Sequence, residues 1–199
     1  MTRRHFLCAA ASTAMPAFGA EHLPQSVTFI GEDKFNAIRG LAHTRLWRTQ
    51  PIGMRIISCA LRLQGTPYVG YSLEIDDHIE APSVNFDGMD CWTFFETSLA
   101  FARMIRSKPA PWSPIDMLRF IEMERYRGGH CDGSYLSRLH HLEELFYDNE
   151  HRGLGRNMTR ALGGVPIQRN IREMQVAWKG YRYLRCNASL RTGIANVEA

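Results

Sequence analysis

The sequence predicts a single helix-rich domain of the α+β class, and three observations carry that expectation. Apolar residues recur at three- and four-residue spacing through five segments between residues 32 and 150, and glycines and prolines punctuate their ends. Residues 65–90 lack that period, yet structureless connections of such length are uncommon, so this stretch is read as holding short strands or shaping a site. The chain has 199 residues, of which 45% are hydrophobic and 22% charged, which suits one globular core. Neither an internal repeat nor a low-complexity linker divides it.

The first twenty residues, M-T-R-R-H-F-L-C-A-A-A-S-T-A-M-P-A-F-G-A, pair two arginines with an alanine-rich run and small residues at Ala17, Gly19 and Ala20. This reads as an export signal, and the T-R-R-H-F-L order resembles a twin-arginine signal, which implies a periplasmic or secreted protein. The alternatives are a general secretory signal or an uncleaved anchor. The apolar run falls short of the roughly 20 residues of a membrane span, so no stable membrane insertion is expected. The formal charge of +4 falls to +2 without the two arginines. That balance, without a basic stripe interleaved with aromatics, gives no reason to expect nucleic acid. The single domain is therefore placed at 21–199. Its four cysteines, Cys59, Cys91, Cys131 and Cys186, are too widely spaced for a disulfide framework, and at most one unassigned pair is expected.

The predicted helices follow in order. Residues 32–48 begin acidic and carry Phe35, Ile38, Leu41, Ala42 and Leu46; residues 53–64 carry Met54, Ile57, Ala60, Leu61 and Leu63 and stop at Gly65 and Pro67. Cys59 on the second of these is read as a small buried hydrophobe. Trp92, Phe95, Leu99, Ala102 and Met104–Ile105 mark a helix over 91–106, bounded by the three prolines of 108–114. A further helix spans about 114–126, and a less regular one covers 134–150. After Gly163–Gly164 the pattern weakens.

Within N-F-D-G-M-D-C-W-T-F-F-E (85–96), Asp90 can cap the helix and leave Cys91 in its first turn, where free N–H groups and the positive end of the helix dipole favour a thiolate. Nucleophilic catalysis by cysteine uses such a position together with a histidine. The plain alternative is an inert thiol at a helix start.

The segment G-T-P-Y (65–68), followed by D-C-x-x-F at Asp90, Cys91 and Phe94, resembles the NlpC/P60 cysteine peptidases. The longer series, with S-R-L-H-H at 137–141 and N-M-T-R-A-L-G-G at 157–164, is similar to the DUF1460 family, described as N-acetylmuramoyl-L-alanine amidase-like. The likeness covers roughly residues 30–185. It implies a papain-like fold, with the cysteine helix against a small antiparallel sheet, and a substrate from the peptide part of the bacterial wall: a peptidoglycan stem peptide or muropeptide. It implies Cys91 as nucleophile, and Tyr68 and Asp90 as lining the pocket for the amino end of a wall peptide; these two are equally readable as a loop aromatic and a helix cap. No cofactor is implied.

The family's downstream histidine-bearing strand has no counterpart before Ala199. Either the chain is a C-terminally truncated member, retained as a catalytically inactive wall-peptide-binding module, or a histidine already present serves. His140 of S-R-L-H-H is the candidate, with the competing reading that His140 and His141 share one amphipathic helix, one packed and one solvated. A third reading takes His130, Cys131 and Asp132 of G-G-H-C-D-G as zinc-type ligands, although adjacent residues rarely point at one ion.

Overall fold

The computed structural model describes residues 23–198; the expected export signal and Cys8 lie outside them. A single turn, α1 (Gln25–Thr28), leads into β1 (Phe29–Ile30), and α2 (Glu32–Thr44) follows after Gly31. Gly31 has φ +80 and meets Phe86 Cβ and Asp87 at 2.8 Å of a would-be Cβ, so only glycine fits this junction. Glu32 and Asp33 then place negative charge at the positive end of α2. After a 3-10 turn at Trp47–Thr49 come α3 (Ile52–Leu63), β2 (Val84–Asn85), α4 (Cys91–Ser107) and α5 (Pro114–Arg125). Both of the last two helices start on a capping box, Asp90 with Thr93 and Ser113 with Asp116, and Pro114 opens α5 where its missing N–H costs nothing. The chain continues through 3-10 turns at Arg127–Gly129 and Tyr135–Ser137 to α6 (Leu142–His151), α7 (Glu173–Val176), α8 (Arg182–Cys186) and α9 (Ala188–Val197).

Helices dominate as expected, but the sheet differs from the antiparallel one the resemblance implies. β1 and β2 pair in parallel, Phe29 opposite Val84 and Ile30 opposite Asn85. The reason is topological: α2 and α3 lie between them, and a helical crossover returns the chain in its original direction. Antiparallel pairing among the described residues is confined to one bridge, Tyr126 with Arg138. The helix bearing Cys91 packs against α3 and α5 instead of lying on a sheet, so the papain-like arrangement is not what these residues display.

The main core joins α2, α3, α4 and α5. Phe35 packs edge-on against Phe29 and Phe101 and tilted against Phe86, with Trp47 beyond Phe101. Cys59 is fully buried there, as expected, and burial pushes its thiol up to about 12. A second, smaller cluster of Tyr135, Met174, Tyr183, Leu184 and Ile194 sits under the C-terminal helices. The weak C-terminal pattern therefore reflects helices of four to ten residues, too short to display a period.

Two helical faces depart from the sequence expectation. On α3 the buried side is Arg55, Cys59 and Leu63, while Met54, Ile57 and Leu61 are exposed. On α4 the buried side carries Glu96, Ala100, Phe101, Met104 and Ile105, while Trp92, Phe95 and Leu99 are only half-buried. Burial on α4 is possible for Glu96 because Arg125 Nε and Nη2 donate to its Oε2 at 3.0 and 2.8 Å, with both side chains 1% exposed. The segment read as a helix over 134–150 is α-helical only from Leu142, after the 3-10 turn at Tyr135–Ser137. Before it, Leu139 N donates to Arg125 O at 2.8 Å, and the extended backbone at Arg138 and His141 excludes the pair His140–His141 from any helix.

Candidate functional site

The loop before Cys91 is built by its own polar residues. Asn85 Oδ1 accepts from the backbone N–H groups of Asp87 and Gly88 at 2.9 and 3.1 Å, turning the chain. Met89 then pairs with the G-T-P-Y segment: its N–H donates to Pro67 O and its carbonyl accepts from Val69 N, both at 3.1 Å. Gly88 permits that approach, since a Cβ there would lie 2.6 Å from Val69 Cγ2. These contacts are what bring Tyr68 beside Asp90 and Cys91. Asp90 Oδ1 accepts from Thr93 N at 2.8 Å and Thr93 Oγ1 at 2.9 Å, which establishes the capping role. Its Oδ2 takes no hydrogen bond among the described residues and remains available to a ligand.

Cys91 is exposed at the first position of α4 and lines two clefts that both include Tyr68 and Asp90. One, of about 530 Å³, is walled by Ile57, Ala60 and Leu61 of α3 with Phe94, which explains why that apolar face of α3 is not in the core. The other, of about 580 Å³, is the more polar of the two and contains Glu74, Arg138, His140, His141 and Glu143. The structure thus gathers all four residues singled out in the sequence, Tyr68, Asp90, Cys91 and His140, into one cleft.

The floor of the polar cleft is a buried charge network. Arg138 Nη2 donates to Glu74 Oε1 at 2.7 Å, and its Nη1 faces Glu80, to which Tyr126 Oη also donates at 2.7 Å. Burial pushes the Glu80 carboxyl upward, against the pull of Arg138, while the surrounding carboxylates and phenols hold Arg138 firmly protonated. Tyr183 Oη donates to Ile79 O at 2.6 Å and its ring stacks on Tyr135, so the C-terminal cluster braces the same loop.

The two histidines have different surroundings. His140 Nε2 lies 2.9 Å from the carbonyl oxygen of Tyr135; a carbonyl only accepts, so Nε2 carries the hydrogen and Nδ1 is the acceptor. Burial, and then the charge of Arg138, lower its pKa well below the ordinary histidine value and keep it neutral. His141 has a carboxylate behind it: its Nε2 is 3.3 Å from Glu198 Oε1, and Glu198 is fixed by the backbone N–H groups of Met174 and Gln175. That pairing was not legible in the sequence, where 57 residues separate the partners without a shared motif. Trp92, one of the apolar positions that mark this helix in the sequence, also lines the polar cleft, and its Nε1 lacks a partner among the described residues.

The residues proposed as zinc-type ligands do not converge. His130 is largely exposed beside Glu122, Cys131 Sγ points to Glu80 O at 3.5 Å, and Asp132 caps Ser134 N. No group of three or more His, Cys, Asp or Glu is arranged to hold a metal among the described residues. Cys59, Cys91, Cys131 and Cys186 are all free thiols. No helix among the described residues is long and apolar enough to cross a membrane.

The family described as AmiA-like, N-acetylmuramoyl-L-alanine amidase-like, matches residues 58–189. An N-acetylmuramoyl-L-alanine amidase from Bacteroides uniformis ATCC 8492 is similar at 26% identity with a TM-score of 0.65, over 74% of this chain and 60% of that one. A protein from Bacteroides fragilis, whose assignment as a xylanase is itself provisional, is similar at 28% identity with a TM-score of 0.59, over 70% of this chain and 59% of that one. The chain therefore spans about 60% of the length of the solved structures it resembles. Among curated proteins none matches.

Proposed function

The chain belongs to the AmiA-like, N-acetylmuramoyl-L-alanine amidase-like family, and from that premise we propose that it hydrolyses an amide in peptidoglycan fragments with Cys91 as nucleophile. The observation that carries the proposal is the shared cleft: an exposed cysteine opening a capped helix, with two histidines, a tyrosine and a carboxylate around the same space. In this reading Cys91 Sγ attacks the carbonyl carbon, the C–N bond breaks, and water then hydrolyses the thioester to a carboxylate and regenerates the thiol. A proton must leave the thiol and reach the departing amine. His141 is assigned that task because it lines the same cleft as Cys91 and has the Glu198 carboxylate 3.3 Å from its Nε2. His140, held neutral and donating to Tyr135 O, suits a positioning role for its neighbour; the expectation from sequence that it is itself the base is the second reading. Tyr68 Oη and the free oxygen of Asp90 would orient N–H or ammonium groups of the wall peptide. Export by residues 1–20 would bring this cleft to its substrate.

The experiment is digestion of purified muropeptides followed by mass spectrometry of the products. Wild-type protein is expected to release free peptide or amino acid, His141→Gln to lose far more activity than His140→Gln, and Cys91→Ala to lose all of it. Equal loss in both histidine variants would favour His140 as a participant. Binding of muropeptide without turnover would leave the cleft as a binding module.

A further inference from the structure

The N-M-T-R-A-L-G-G segment, which contributes to the family likeness but not to the proposed catalysis, lies in the connection 152–172 between α6 and α7. Local hydrogen bonds hold its turn. Asn157 N donates to Glu150 Oε1 at 3.0 Å, which ties the turn to the end of α6, and Asn157 Oδ1 accepts from Thr159 N at 2.9 Å. Leu162, Gly163 and Gly164 then donate their N–H groups to the carbonyls of Met158, Arg160 and Thr159 at 3.0, 3.1 and 2.8 Å. Gly163 has φ +87, and a Cβ on Gly164 would lie 2.4 Å from Thr159 Cγ2, so glycine suits both positions that close the turn. The closed turn presents apolar side chains to water: Met158, Leu162, Val165 and Ile167 are 45%, 82%, 77% and 71% exposed. One exposed leucine is ordinary, but four aliphatic side chains along ten residues mark an interaction surface.

Charge indicates the partner. The segment 151–172 holds five arginines and no acidic residue, whereas the rest of the chain sets 19 basic against 20 acidic side chains. Arg152 is paired with Asp148, while Arg156, Arg160, Arg169 and Arg172 are exposed and form no ion pair among the described residues. Glu150 and Glu173 bound the stretch, and Glu150 is engaged with Asn157. Guanidinium groups bind phosphate through paired hydrogen bonds, and aliphatic groups beside them suit the boundary between lipid headgroups and acyl chains. Nucleic acid would meet the same cations but no Phe, Tyr or Trp in this stretch to stack on. We propose that residues 156–172 dock this protein on the surface of an anionic lipid bilayer, with the arginines on lipid phosphates and Leu162, Val165 and Ile167 inserted just below them. The paired N–H groups of the turn permit an irregular backbone to approach so poorly hydrated a layer. No helix among the described residues is long and apolar enough to span that layer, so the attachment is to its surface. The connection runs into α7, whose Glu173 and Met174 line the cleft of Cys91, and docking therefore holds that cleft near the bilayer. The inference does not depend on turnover at Cys91.

The test is co-sedimentation of the full chain with three probes: phosphatidylcholine vesicles containing about a quarter phosphatidylglycerol, pure phosphatidylcholine vesicles, and lipid-free peptidoglycan sacculi. The protein should partition onto the anionic vesicles at least about tenfold more strongly than onto the neutral ones, and Arg160→Gln/Arg169→Gln should lower that partition at least about tenfold, each arginine near such a surface being worth about fivefold. Leu162→Ser/Ile167→Ser should also lower it at least about tenfold, through lost apolar burial. All four side chains are exposed, so circular dichroism and the urea midpoint should match wild type, and Cys91→Ala should bind vesicles as wild type does. Equal binding to the two kinds of vesicle would overturn the proposal. So would undiminished binding in either double variant, which would move the attachment to another segment, such as the arginine-bearing residues 1–20. Comparable binding to sacculi, lost in the same variants, would assign the loop to the wall polymer and overturn it. A dimer in sedimentation velocity that Leu162→Ser/Ile167→Ser dissolves, without vesicle binding by wild type, would assign the loop to a second copy of the chain and overturn it as well.

Discussion

Replacing Glu96 by leucine removes the partner of a guanidinium that has no access to water. Arg125 is 1% exposed; it places two hydrogen bonds on Glu96 Oε2 and a third, at 2.8 Å, on Ser83 O. In Glu96→Leu the last of these survives and two charged donors are orphaned. At about 1.5–3 kcal/mol for each hydrogen bond to a charged group, the loss is roughly 3–6 kcal/mol, in line with the 3–5 kcal/mol typical of breaking a buried ion pair. Set against a total of about 5–15 kcal/mol for such a domain, that is a large fraction. The double variant Glu96→Leu/Arg125→Met removes both charges and should return to within about 1 kcal/mol of wild type, helped by the fact that Glu96 Oε1 is already buried without a partner. Urea unfolding of the four proteins of this cycle at pH 7, with unchanged m, measures the coupling. A loss below about 1 kcal/mol in Glu96→Leu, or additivity of the two single changes, would refute the reasoning. The pair also bears on the cleft, because Arg125 holds Ser83 at the end of the loop that supplies Glu74.

Other expectations follow from the same contacts. Burial pushes the Glu124 carboxyl from its ordinary 4.5 up to about 8, despite Arg103. A carboxyl whose folded value is raised contributes its full stability below about pH 4.5 and loses it as pH climbs through 8, a swing of up to roughly 5 kcal/mol; urea melts from pH 5 to 8 should show the decline in wild type and a flatter profile in Glu124→Gln. Gly88→Ala should cost about 1–3 kcal/mol by overpacking against Val69, and should weaken muropeptide turnover more than the lost stability explains, because the pairing that brings Tyr68 to Cys91 is displaced; thermal melts and kinetics together check this. Asp90→Ala should lower stability by about 1 kcal/mol through the lost cap, measurable as a melting shift of a few degrees.

Much of the helical scaffold was legible because α2 to α5 carry periodic apolar residues between clear stops. The start of α4 at Cys91 was readable from Asp90 alone, since a cap is a local interaction. What the pattern could not reveal was which face of an amphipathic helix meets the core. On α3 and α4 the more apolar stripes border clefts, and the core side tolerates Arg55 and Glu96 because partners distant in sequence, Ala102 O and Arg125, satisfy them. The irregular segment 134–141 looked helical because its apolar spacing fits that period, yet Ser134, Arg138 and Leu139 commit their backbone or side chains to a turn and a bridge. The cleft residues Tyr68, Asp90, Cys91 and His140 were singled out by motif; Glu198 behind His141 carries no motif and emerges only from tertiary packing.

The most direct measurement is mass spectrometry of a defined N-acetylmuramoyl peptide after incubation with wild-type and Cys91→Ala protein. The account predicts that wild type liberates an amine-terminated product and that Cys91→Ala liberates none while still binding the substrate; product release undiminished in Cys91→Ala, or no product from wild-type protein that binds the substrate, would contradict it.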